Sequence, residues 1–189
     1  MKTLKNISIL SLIALFFVSC SDDDTNPLPV NEEEVITTLT ATLVPENGGD
    51  TITLKTQDLD GDGPNAPVIT VSGNLKANTV YTGSLELLNE TESPAELINT
   101  EIEEENDDHQ FFFQTTNALA TFDYLDFDGD NNPLGLEFTL TTAAAATGNI
   151  TITLRHEPNK NADGVSDGNI ENAGGETDIQ AVFSVIIEE

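Results

Sequence analysis

"DIQAVFSVII", residues 178–187, sets the reading of the whole chain. Side chains on a strand point alternately to opposite faces. Here Phe183, Val185 and Ile187 share one face, and Val182, Ser184 and Ile186 share the other. A strand apolar on both faces is expected at the centre of a sheet, and one this close to the C-terminus closes the fold. The same period of two runs outward through "GNITITLRH", "LGLEFTLTT", "HQFFFQTT", "TVYTGSLELL", "PVITVSG", "DTITLKTQ" and "VITTLTATLV". A helical period of 3.6 is not sustained in any of these segments.

Between the strands lie clusters of Gly, Pro, Asn and Asp: "PENGGD", "DGDGPNAP", "DGDNNP" and "NADGVSDGNIENAGGETD". Short strands with turn chemistry at intervals predict an all-β fold. The expectation is a single antiparallel β-sandwich, immunoglobulin-like, of eight or nine strands over residues 33–189. "FFF" at 111–113 reads as a strand buried on both faces, and "TTAAAATGN" at 141–149 as a connection. Residues 161–178, with four glycines, read as a long mobile hairpin. One segment is open to two readings. "SPAELINTEIEEEN" offers Ser93 as an N-cap, Pro94 at the first helical position and Glu96 as a capping-box acid, so a short helix near 94–104 fits. Its Ile98–Thr100–Ile102 alternation fits an edge strand equally well. The acidic run that follows reads as a solvated face.

The chain opens "MKTLKNISILSLIALFFVSC". A basic start, an apolar run of about a dozen residues and a small-residue ending form the pattern of a secretory signal over residues 1–19. A bilayer span needs ~20 apolar residues, so this run is too short to be one. "FVSC" resembles a bacterial lipobox, which implies lipidation of Cys20 and a lipid anchor in the membrane. Each buried CH₂ of such an anchor contributes about 0.8 kcal/mol. "SDDD" after the cysteine resembles the acidic export signal of Bacteroidota surface lipoproteins. Residues 20–32 read as the lipidated cysteine and an acidic flexible tether, whose last twelve residues reach at most ~40 Å. The expected address is the outer membrane, at the cell surface.

The chain carries 34 acidic and 6 basic residues, and two of the six, Lys2 and Lys5, sit in the signal. An excess of 34 acids over the remaining 4 bases repels phosphates, so nucleic acid is excluded as a partner. Cations or a basic partner are favoured.

"YLDFDGDNNPLGLEF", residues 124–138, spaces Asp126, Asp128 and Asp130 by two and puts Glu137 at the twelfth position. Alternation predicts Asp126, Asp128 and Glu137 on one outward face, with Leu125 and Phe127 inward. Leu134, Leu136, Phe138 and Leu140 are also expected in the core. Ca²⁺ takes six to eight oxygens and favours carboxylates, so this hairpin tip is a candidate calcium site. The spacing resembles an EF-hand loop, but Asn131 replaces the required glycine, Pro133 follows and no helices flank it. Asp and Asn also form turns on their own account. A sister loop carries Asp58, Asp60 and Asp62 with Gly63 but has Ile69 at the twelfth position.

His109 and His156, with Glu157 or Asp108, form an alternative candidate site for a transition metal, since imidazole and carboxylate suit zinc or copper. No G-x-S-x-G, H-E-x-x-H or phosphate loop occurs. Two carboxylates can hydrolyse a glycoside, but with no tryptophan and only Tyr81 and Tyr124 a sugar platform is poorly supplied. The chain reads as a non-enzyme.

The lipobox, "SDDD" and the phrases "HQFFFQT", "LRHEPNK" and "NAGGETDI" together resemble small surface lipoproteins of Flavobacteria and other Bacteroidota. For some of these a type 1 periplasmic binding fold is named. That large α/β fold does not suit so short and β-patterned a chain. The expectation is a lipid-anchored binding or accessory lipoprotein, calcium-stabilised. Its rivals are a metal-capture lipoprotein using the two histidines and, behind it, a carboxylate-dependent hydrolase.

Overall fold

The threonine-rich and β-branched segments pair as strands because such side chains pack well on a pleated surface. A computed structural model describes residues 34–61 and 63–189. The signal, Cys20, the tether and Asp62 lie outside these residues. In chain order the elements are β1 (Thr38–Pro45), β2 (Ile52–Gln57), β3 (Val68–Val71), β4 (Leu75–Lys76), β5 (Val80–Asn89), β6 (Glu96–Leu97), α1 (Asn99–Glu104), β7 (His109–Thr115), β8 (Ala120–Tyr124), β9 (Glu137–Thr142), β10 (Ala146–His156) and β11 (Glu176–Glu188).

They form a β-sandwich. One sheet runs β3-β2-β1-β5-β9-β8 with β6 added to β5, and the other runs β4-β11-β10-β7. Every pairing is antiparallel except the two-residue β4, which lies parallel to β11. Leaving out the two-residue β4 and β6, nine strands remain among the described residues. No helix among those residues is long and apolar enough to cross a membrane.

The inner faces carry the predicted alternation. Leu39, Ala41 and Leu43 of β1, Leu85 and Leu87 of β5, and Phe138 and Leu140 of β9 meet Ile150, Ile152 and Leu154 of β10 and Phe183, Val185 and Ile187 of β11. Burying each such large side chain contributes about 1.5–3 kcal/mol. Within the larger sheet the packing is tight at Gly83, whose strand neighbour across the ladder is Phe138. A Cβ at Gly83 would run into the Phe138 ring. Gly83→Val is therefore expected to cost roughly 1–3 kcal/mol through overpacking. In urea melts the midpoint should fall with an unchanged slope. An unchanged midpoint would show that the ring moves aside freely.

Several expectations are corrected. The last strand is not buried on both faces: Val182 and Ile186 are 46% and 49% exposed. Its second neighbour, β4, covers only Ile187 and Glu188, so most of β11 behaves as an edge. Residues 94–104 use both alternatives in turn. Glu96 and Leu97 pair with β5, and the helix starts only after Ile98, which serves as N-cap without a side-chain cap bond. Ser93 is not the cap, because Glu96 and Leu97 between it and the helix are paired with β5 as strand. Ile98 and Ile102 then anchor α1 in the core. The "TTAAAATGN" stretch is a connection only in its middle, since β9 runs to Thr142 and β10 starts at Ala146. The "FFF" reading holds for Phe111 and Phe112, which face opposite clusters. Phe111 lies between the sheets, and Phe112 packs outside with Val165 and Ala173. Residues 161–178 therefore hold a second small core over the four-stranded sheet.

Candidate metal centre

The inner face of the four-stranded sheet turns polar at one end. His109 is the first residue of β7 and His156 the last of β10, and the ladder sets them directly opposite each other. Cross-strand partners share a face. They continue the inward rows of Phe111 and Leu154, and both are buried. Their ring centroids are 4.7 Å apart.

A bulge supplies the third residue. Leu154 pairs with Ile179, but Arg155 pairs with Thr177, so Asp178 is left over as the extra residue of β11. Plain alternation would put Asp178 outward with Gln180. A bulge re-aims a side chain, and the Asp178 carboxyl is fully buried beside the histidines. Gly175 shapes the turn before it, with φ +68° and no room for a Cβ against the His156 carbonyl and the Glu157 backbone.

The fourth residue, Glu34, comes from the chain leading into β1. Its Oε1 lies 2.6 Å from His109 Nε2, and its Oε2 lies 3.4 Å from His156 Nδ1. The Asp178 oxygens lie 3.9 Å from His109 Nε2 and 3.6 Å from His156 Nδ1. One ligand atom from each of the four residues falls within 4.8 Å of all the others. The side chains are 0–5% exposed.

The four ligand atoms are close enough together to be drawn onto one ion. Bonds of about 2.0–2.2 Å in a tetrahedron separate the ligand atoms by roughly 3.3–3.6 Å. The contacts at 3.4, 3.6 and 3.9 Å lie near this range but use different oxygens of Glu34 and Asp178, so each carboxylate would turn one oxygen inward to bind. The 2.6 Å contact would open by roughly 0.8 Å on metal binding. Neither Glu34 oxygen nor His109 Nε2 meets hydrogen-bond geometry within this cluster, although they face one another. His109 Nδ1 lies 3.0 Å from the Glu105 carbonyl oxygen. That oxygen only accepts, so Nδ1 carries the proton and Nε2 is turned inward. Metal-binding imidazoles are commonly oriented by such a second bond.

The electrostatics agree with a cation-seeking site. Burial pushes the Glu34 carboxyl up, but the His109 imidazole outweighs it and holds the group below its usual range. Burial pulls His109 down, and Glu34 outweighs that, leaving the imidazole above its ordinary value. Glu101 on α1 is pushed up, first by burial and then by the charge of Glu34. Two buried carboxylates need compensating positive charge, because burying an unpaired charge is costly.

The other expected residues are placed differently. Asp108 and Glu157, the acids first matched with the histidines, are exposed. Glu34 and Asp178 stand in their place. The Asp-rich hairpin is turned inside out relative to the alternation: Asp126 and Asp128 point inward, while Leu125 and Phe127 are 48% and 53% exposed. The strand ends at Tyr124, so alternation no longer governs there. Asp126 accepts from the backbone N–H groups of Gly135 and Leu136 at 2.8 and 2.9 Å. Asp128 accepts from Asp130 and Asn132 N–H groups and from the Lys160 ammonium at 3.0 Å. Asp130 and Glu137 are exposed, so Glu137 does not share the aspartates' face. In the sister loop Asp58 accepts from Asp60 N–H, and Asp60 binds both nitrogens of Asn65.

A cavity of about 620 Å³ lies elsewhere, lined by Asn47, Asp50, Asn74, Lys76 and Glu188 among others. Its Glu188 is paired with Lys76 at 2.8 Å. Compared with known proteins, the chain matches no family model, no curated protein and no solved structure.

Proposed function

We propose that this protein is a lipid-anchored outer-membrane lipoprotein that captures one divalent transition-metal ion through Glu34, His109, His156 and Asp178. The observation that carries the reading is the convergence of four buried ligand atoms from four separate places in the chain. Two imidazoles and two carboxylates without sulfur suit zinc, with copper the strongest competitor among divalent ions. Two neutral imidazoles and two carboxylates carry a charge of −2, which one divalent ion neutralises. Four protein ligands with side chains almost out of solvent suit holding an ion rather than presenting it to a substrate. The lipid anchor rests on the sequence around Cys20, and the acidic surface favours cation approach.

The test is metal analysis. The full chain, stripped with a chelator and reloaded with zinc, is expected to retain one ion per chain after gel filtration. His109→Ala/His156→Ala should retain less than a tenth of that. Substoichiometric zinc in the unaltered protein, or full retention in the double variant, would overturn the reading.

A further inference from the structure

We infer that the ion also works as a latch, fastening the chain that precedes β1 onto the four-stranded sheet, with Glu34 as the ligand through which the site opens and closes. This rests on the metal-capture reading and assigns it a moving part. His109 and His156 are paired with each other in the β7–β10 ladder, and Asp178 sits in the β11 bulge between the paired residues Thr177 and Ile179. Glu34 does not belong to that sheet. It lies four residues ahead of β1, whose partners are β2 and β5 of the opposite sheet.

The fastening of its segment is sparse. Among the described residues, the first backbone hydrogen bond that this segment makes to either sheet is Thr37 N–H to the Leu88 carbonyl, at 2.9 Å. The Thr37 hydroxyl donates to the same carbonyl at 3.0 Å. Ahead of Thr37, Ile36 packs partly on the core and Val35 is 56% exposed. Glu34 itself is held by its carboxylate against the histidines. An ion cannot reach ligands this deeply buried unless one of them moves. The three sheet ligands are fixed by paired residues at or beside them, whereas Glu34 has no strand partner and swings out about Val35 and Ile36. Uptake and release are therefore coupled to lifting of this strap. The bound ion in turn holds the strap down, since a ligand that favours one state shifts the population toward it.

A glutamate-specific protease reads the strap directly, because cleavage after Glu34 needs that side chain in the protease rather than in the site. The full chain is digested zinc-loaded and chelator-stripped, and the fragment beginning at Val35 is timed by mass spectrometry. The expected result is formation at least roughly tenfold slower with zinc, since proteolysis follows the population of the open form. A second measurement uses Glu34→Gln loaded with zinc and challenged with a chromogenic chelator. Release is expected to be at least roughly tenfold faster than from the unaltered protein, equivalent to a barrier lower by about 1.4 kcal/mol. If zinc does not bind the unaltered chain, metal capture and latch fall together. If zinc binds but the Val35 fragment forms at the same rate in both states, the latch alone falls. Release from Glu34→Gln no faster than from the unaltered chain also overturns it.

Discussion

Zinc added to the chelator-stripped protein is expected to raise its melting temperature by roughly 8–16 °C, and calcium at the same concentration to leave it unchanged. The size follows from linkage. A ligand that binds only the folded state, at a thousand times its Kd, adds about 4 kcal/mol. For a domain of this size each kcal/mol moves Tm by roughly 2–4 °C. The folded state alone can bind in this way, because the four ligands lie far apart in sequence, at 34, 109, 156 and 178, and meet only after both sheets have formed. The distinction from calcium follows from the donors. Two of the four are imidazole nitrogens, and calcium takes oxygen. At the Asp-rich hairpin, Asp128 is matched to Lys160 and Asp126 to backbone N–H groups. Scanning calorimetry with each ion decides the matter. No shift with zinc would remove the four-residue centre, and an equal shift with calcium would return attention to the hairpin.

Lys160→Met is expected to lower stability by roughly 3–5 kcal/mol, the usual cost of removing one partner from a buried ion pair. Lys160 is 3% exposed. Its ammonium donates to Asp128 Oδ2 at 3.0 Å, to the Asn106 carbonyl at 2.5 Å and to the Pro133 carbonyl at 3.2 Å. All three donors are engaged, so this side chain ties the loop after β10 to the hairpin before β9 and the turn after α1. Methionine leaves the Asp128 carboxylate buried without its cation. Asp128→Asn/Lys160→Met should recover most of the loss, because no buried charge then remains.

The pH dependence has a definite sign. Burial raises the Asp128 carboxyl, but the Asn132 N–H and Lys160 outweigh it and hold the group below its usual value. A folded-state value below the unfolded one, about 3.9, stabilises the fold above that pH, and the contribution is lost as pH falls through the folded value. The Lys160→Met variant should therefore lose less stability between neutral and acid pH than the unaltered protein does. Equal acid limbs in urea titrations would show that this pair does not contribute to acid unfolding.

The strand pattern was legible because a buried face forces a period of two on the sequence. It placed Phe138 and Leu140 of β9 in the core and set Phe183, Val185 and Ile187 of β11 on one face, as the structure has them. It failed wherever a polar side chain found its partner inside. Asp126 and Asp128 looked like a solvent face until backbone N–H groups and Lys160 drew them inward. Asp178 sits at an outward position by count and is brought in only by the bulge opposite Leu154 and Arg155. A bulge is a change of register between two strands, and no local pattern records it. The turn glycines Gly174 and Gly175 just ahead of β11 were the available hint of irregularity. Glu34 carried no signal at all, being one acid in "NEEEV".

The sequence by itself determined the β architecture, the two histidines as a candidate pair and the expected anchor at Cys20, because periodicity and motif are local properties. Only the tertiary structure decided which acids join the histidines. Residues 34, 109, 156 and 178 are brought together by strand register, and register is fixed by the packing of two whole sheets rather than by any stretch of either.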